Sequence, residues 1–130
     1  MKAIVTFTKC IQDSQDYGSD DEHMASRIFF DLAVNGQSHP GLHVDVKQLV
    51  GSSYETGDIE VGRPVGGYRG PFNYLAFRDA AERYFRSLVG SGGSGIQITG
   101  GSNTSMRMRN NTFVVQKAET FEVDQSAGGW

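Results

Sequence analysis

The chain has 130 residues, enough for one domain that buries roughly two thirds of the surface its unfolded form exposes, so no metal or disulfide is required for folding. A net charge of −3 without a basic block excludes the electrostatic footprint of nucleic-acid binding, and no apolar run is long enough to span a membrane. The single cysteine, Cys10, rules out an internal disulfide framework and, with no apolar leader after Met1-Lys2, sets the expectation of a reducing, cytoplasmic setting.

Residues 3–11 alternate, with Ala3, Val5, Phe7 and Ile11 on one side and Thr6, Thr8 and Cys10 on the other, as in a half-buried strand. Lys9 interrupts the buried row near its end. Residues 12–24 are polar and acidic around Gly18 and read as an exposed loop. The strongest strand pattern follows at 27–34, with Ile28, Phe30, Leu32 and Val34 inward and Phe29 on the other face. Asn35-Gly36 opens a turn expected to run through His39-Pro40-Gly41, a hairpin with a long tip, into Leu42, Val44 and Val46. A short strand at 58–61 points Ile59 and Val61 inward, and the glycine-rich stretch 62–70 leads to a helix.

That helix is the organising element. At 100° per residue Tyr74, Phe77, Ala81, Tyr84, Phe85 and Leu88 form one stripe, opposite Asp79, Glu82, Arg83 and Arg86. Asn73 supplies an N-cap just after Pro71, Gly90 stands where a C-terminal cap belongs, and Arg78/Glu82, Asp79/Arg83 and Glu82/Arg86 are spaced for ion pairs one turn apart. Each large apolar residue of the stripe gains about 1.5–3 kcal/mol on full burial. Beyond a glycine-rich connector, strands are expected at 96–99 and 105–109, with an Asn110-Asn111 turn leading into 112–123. Phe113 and Val115 start that segment inward, so a break near Ala118 is needed to return Phe121 and Val123 to the same face.

The pattern predicts an α+β fold of order β-β-β-β-α-β-β-β. Its sheet is curved and mainly antiparallel, of about seven strands, rolled towards a half-barrel, because one helix covers one sheet face only. Residues 1–125 form a single domain and 126–130 a flexible C-terminal arm.

No set of side chains spells out a reaction. The acidic stretch from Asp13 places Gly18 at the sixth position of a calcium loop, yet Gln15 and Tyr17 occupy ligand positions and Met24 stands where the bidentate glutamate belongs. His43 and Asp45 share one strand face with His39 nearby, but alternating polar residues on a wet face produce this spacing routinely. Cys10 has no neighbour that would activate it as a nucleophile. The expectation is therefore no metal, no cofactor and no catalytic residue. Arg63, Tyr68 and Arg69, in a glycine-rich approach to a helix N-terminus, have the ingredients of an anion or ligand site but match no phosphate-binding fingerprint.

Apolar residues outside the core pattern carry the remaining signal: Phe29 on the second face of the best strand, Leu75 among the helix charges, and Trp130 at the end of the arm. A sheet face covered by no other element gives such residues a use, as contacts to a protein partner or to a second copy of the chain. The first reading is thus a non-catalytic interaction or assembly module. The second is a ligand-binding protein or enzyme with a pocket between helix and sheet, lined by Tyr74, Tyr84 and Met106 and gated by residues 63–70.

Overall fold

The computed structural model describes residues 1–12, 24–48, 59–90, 97–99 and 111–123. They form strands β1 (Lys2–Gln12), β2 (Met24–Val34), β3 (Gln37–Gln48) and β4 (Ile59–Val61), helix α1 (Tyr74–Gly90), then β5 (Gln97–Thr99), β6 (Asn111–Val114) and β7 (Lys117–Glu122). Every paired neighbour is antiparallel, in the order β4-β3-β2-β1-β6-β5, with β7 also on β1. Because β2 fills one edge of β1, β6 and β7 lie end to end along the other. Seven strands thus occupy six lanes of one open, curved sheet, and the α+β class and element order are as predicted.

The core row of β1 departs from simple alternation. Its register with β2 slips between Phe7 and Lys9, where β1 carries one extra residue, Thr8. Such a bulge reverses which side chains face inward, so the row runs Ala3, Val5, Phe7, Cys10 instead of ending on Ile11. Cys10 is therefore a core residue packed opposite Ile28 and Phe113, a correction to its expected outward position.

A second bulge corrects the hairpin. Asn35 and Gly36 both take positive φ (54° and 80°), as a two-residue turn with right-handed strand twist requires, and β3 begins at once with Gln37. The tip is short. His39-Pro40-Gly41 lies inside β3, where Pro40-Gly41 faces the single residue Asp31, and the Gly41 amide donates to Asp31 Oδ1 at 3.0 Å.

At the other end, Asn111 opens β6, whose two edges are taken by β1 and β5. Residues 105–109 themselves lie outside the described residues, as does the expected arm 126–130. The chain breaks at Val115-Gln116 rather than near Ala118, and β7 runs unbroken with Glu119 on the inner side. Inward Glu119 is tolerated because helix residue Arg83 reaches it, Nη2 to Oε1 at 2.6 Å.

The helix follows its predicted stripe: Phe77, Ala81, Tyr84, Phe85 and Leu88 are buried with Ala80, and Tyr74 is half-buried. Asn73 caps it, accepting from the Ala76 amide at 3.2 Å. Of the three expected one-turn ion pairs only Glu82/Arg86 forms, at 3.7 Å. Arg78 turns to Asp79 and Arg83 to Glu119, since a strand carboxylate in a fixed position competes well against a flexible exposed pair worth a few tenths of a kcal/mol.

The helix also reports the curvature. Tyr74 hydroxyl donates to Val61 O and Gly62 O at the β4 end (2.7 and 3.0 Å), while Arg83 reaches β7. In a flat sheet these lanes would be about 19 Å apart at about 4.8 Å per lane, wider than the roughly 10–12 Å of a helix with its side chains. Both flanks are touched because the sheet curls around α1.

Candidate functional site

The concave side of the sheet is filled. Phe7 and Tyr84 stack at 4.8 Å between ring centroids, Phe30 and Phe77 also lie 4.8 Å apart, and Phe72 packs on Phe77 at 5.3 Å. Tyr84 hydroxyl donates to Val115 O at 2.6 Å. The expected pocket lining therefore does not assemble among the described residues: Tyr84 is core, Tyr74 is bound to the β4 end, and Met106 lies outside them.

The convex side differs. No described element lies over it, and the register brings one transverse row together. Val65, just beyond β4, bridges to His43 through two backbone hydrogen bonds (2.8 and 3.0 Å). His43 pairs with Phe29, and Phe29 with Lys9. Phe29 sits in the middle, half-buried, with the Lys9 ammonium 4.8 Å from its ring centre and the His43 ring at 6.1 Å. Val114 follows inward Phe113 and so points outward on the far side of Lys9. Val65 is 53 % exposed, Val114 43 % and Ile4, also on this face, 45 %. Thus three of the four large exposed apolar residues among those described share the surface that carries Phe29.

Leu75, 61 % exposed, is the fourth. It belongs to the wet side of α1, so the structure separates it from Phe29 by the thickness of the domain. Trp130 lies outside the described residues. Ile4 and Val114 were legible as the outward members of alternating runs. Val65 was not, because only the bridge to His43 brings its loop to the sheet.

Next to the row, Arg27 forms a two-pronged pair with Asp45, Nε to Oδ1 at 2.7 Å and Nη2 to Oδ2 at 3.0 Å. His43 has its basicity lowered mainly by burial, then by the Arg27 charge, with Asp45 acting the other way. Asp45 therefore serves Arg27 rather than acting as a free partner for His43. His39 does not join them: the Pro40-Gly41 bulge places it on the inner face, opposite Leu32. Among the described residues no cluster of three metal-ligating side chains forms, and no helix is long and apolar enough to cross a membrane.

The loop 62–70 divides its candidate ligand residues. Arg63 lies over the Tyr74 ring, 4.6 Å from its centre. Gly66 takes φ 144° and lies so close to Leu42 that an added Cβ would collide with that side chain. Tyr68 is buried; its hydroxyl donates to Pro71 O at 2.6 Å, and its ring meets His39 edge-on at 4.7 Å. Arg69 is exposed on a shallow cleft of about 380 Å³ between this loop and the β2–β3 turn. Arg63 and Arg69 thus serve different surroundings. No protein-family model, no curated protein and no solved structure matches this chain.

Proposed function

We propose that the domain is a non-catalytic interaction or assembly module that binds a protein partner, or a second copy of itself, through the convex face of its sheet. The observation that carries this reading is the row Val65, His43, Phe29, Lys9, Val114, an aromatic centre between two cationic or titratable side chains with an exposed valine at each end. An apolar strip crossed by a few polar groups suits a protein surface: the aromatic ring supplies most of the burial, and Lys9 and the Arg27/Asp45 pair supply orientation. The pockets among the described residues are peripheral and the helix–sheet interior is packed, which favours this reading over a buried ligand chamber. The same reading keeps the protein in the cytoplasm, where its one thiol stays reduced.

Sedimentation velocity over a wide concentration range tests it. The parent chain should sediment as a concentration-dependent oligomer, Phe29→Ser and Val65→Lys should weaken that association at least tenfold, and Leu75→Lys should not. The melting temperature of Val65→Lys should stay within a few degrees of the parent. A strict monomer at every concentration removes self-assembly and leaves binding to a different protein as the remaining form. Equal effects of Val65→Lys and Leu75→Lys would sink the convex face as the contact.

A further inference from the structure

On the opposite side of the domain, a cleft lies between the β2–β3 turn and the loop before α1. We propose that it takes a small organic anion, with a carboxylate or phosphate head held by Arg69 and His39 and an apolar body resting on Val34, Tyr68 and Pro71. The cleft, at about 380 Å³, falls within the size range of small-molecule sites, roughly 300–1,000 Å³.

Charge is the first argument. Although the whole chain is acidic, the side chains lining this cleft include no carboxylate; Arg69 and His39 are there, with the neutral amides of Asn35 and Gln37. The second cleft beside α1, about 340 Å³, has the reverse character, with Glu60, Asp79 and Glu82 around an Arg78 already paired to Asp79. The other described arginines are likewise engaged: Arg27 by Asp45, Arg83 by Glu119, Arg86 by Glu82, and Arg63 by the Tyr74 ring. Arg69 alone among them has neither a carboxylate nor a ring partner in the described residues. An unpaired guanidinium at a concave, carboxylate-free wall attracts an anion through a planar fork of donors.

Geometry is the second argument. His39 is turned into the cleft by the Pro40-Gly41 bulge and held there by the Tyr68 ring. The Tyr68 hydroxyl is occupied by Pro71 O, so that residue offers a ring face rather than a donor. Gly67 adopts φ 86° and Gly70 sits against the Tyr68 hydroxyl so tightly that a Cβ would collide with it. The wall is therefore pre-shaped by backbone and a buried ring, and only the exposed Arg69 side chain must order on binding, which keeps the entropic penalty small.

The test follows backbone amide chemical shifts while benzoate, phenyl phosphate and the uncharged benzamide are titrated into the intact chain at low salt. Benzoate and phenyl phosphate should give saturable shifts at Gln37, His39, Gly67 and Gly70, weakened about tenfold in Arg69→Gln and severalfold in His39→Gln, as expected for loss of a charge-assisted hydrogen bond. Benzamide should give none, and Arg78→Gln should bind like the parent. Arg69 is exposed, so its removal leaves the fold intact and the comparison readable. Absence of saturation by both anions, binding unchanged in Arg69→Gln, or benzamide binding as well as benzoate would each overturn the proposal. All of these readouts are independent of association through the convex face.

Discussion

Cys10 shows how one residue's chemistry follows from one bulge. Thr8, the extra residue in β1, turns the thiol into a core position where it is almost fully buried, and burial pushes its ionisation far above the ordinary thiol range. The thiolate is the reactive form, so Cys10 should not react with an aromatic disulfide reagent in the native protein and should react stoichiometrically once urea unfolds it. Rapid native labelling would mean that the register slip is absent. His43 provides a pH test of the convex face. Burial and Arg27 favour its neutral form, so its folded pKa lies below the ordinary 6.5. A group whose neutral form is preferred on folding binds more protons when unfolded; its contribution to stability is thus present above about pH 6.5 and is lost as pH falls below it towards the folded pKa. Carbon-proton titration by NMR should place the His43 midpoint below 6.5, and Arg27→Gln should raise it, because one of the two influences that lower it is then gone and Asp45 still acts to raise it. A midpoint at or above the free value in the parent chain contradicts the assigned surroundings.

The helix is the element on which the fold depends most directly. Tyr84 and Phe85 are fully buried in the core, Tyr84 stacked on Phe7 of β1, so Tyr84→Asp or Phe85→Asp places an unpaired charge there at a cost of several kcal/mol, comparable to a whole domain's stability of about 5–15 kcal/mol. Both should unfold the chain, whereas Glu82→Ala removes only one side of a half-exposed pair at 3.7 Å and should shift the melt by no more than a few degrees. Asn73→Ala should fall between them. It removes the cap to Ala76 and also the side-chain bond from Nδ2 to Glu122 O at 3.0 Å, which ties the helix start to β7, a combined loss of about 1–2 kcal/mol. Circular dichroism melts of the four variants check the order; similar melts for all would mean that α1 does not bury this face.

At the scale of the whole molecule, the helix and the curled sheet formed by the described residues leave two unlike surfaces. The concave side closes on α1 from both flanks, through Tyr74 at β4 and Arg83 at β7, and so offers no interior chamber among the described residues. Among the described residues, three of the four large exposed apolar side chains lie on the convex face, and the Arg69 cleft lies at the rim. Leu75 makes the distinction useful: it is as apolar and exposed as Val65, but stands on the helix side. This is why Leu75→Lys serves as the control for association through the sheet, and why the rim cleft near Arg69 can be occupied without affecting it.

Periodicity alone determined the helix, its buried stripe, its Asn73 cap, the inward row of 27–34 and the class of fold, because each depends on the spacing of side chains a few residues apart and on local hydrogen bonding. The outward positions of Phe29 and Ile4 come from the same alternation. What lies on either side of a strand is a different kind of fact. The slip at Thr8 that exchanges Ile11 for Cys10, the bulge that sends His39 and His43 to opposite faces, and the end-to-end placement of β6 and β7 are set by which distant strand supplies the hydrogen bonds. A slip of one residue reverses every later side chain; in β1 its trace in the sequence is the Lys9 interruption, which does not say on which residue the inward row resumes. The convex row and the Arg69 cleft were therefore decided by tertiary pairing: Val65 reaches His43, and Tyr68 reaches His39, only because strands far apart in the chain hold their partners in one register.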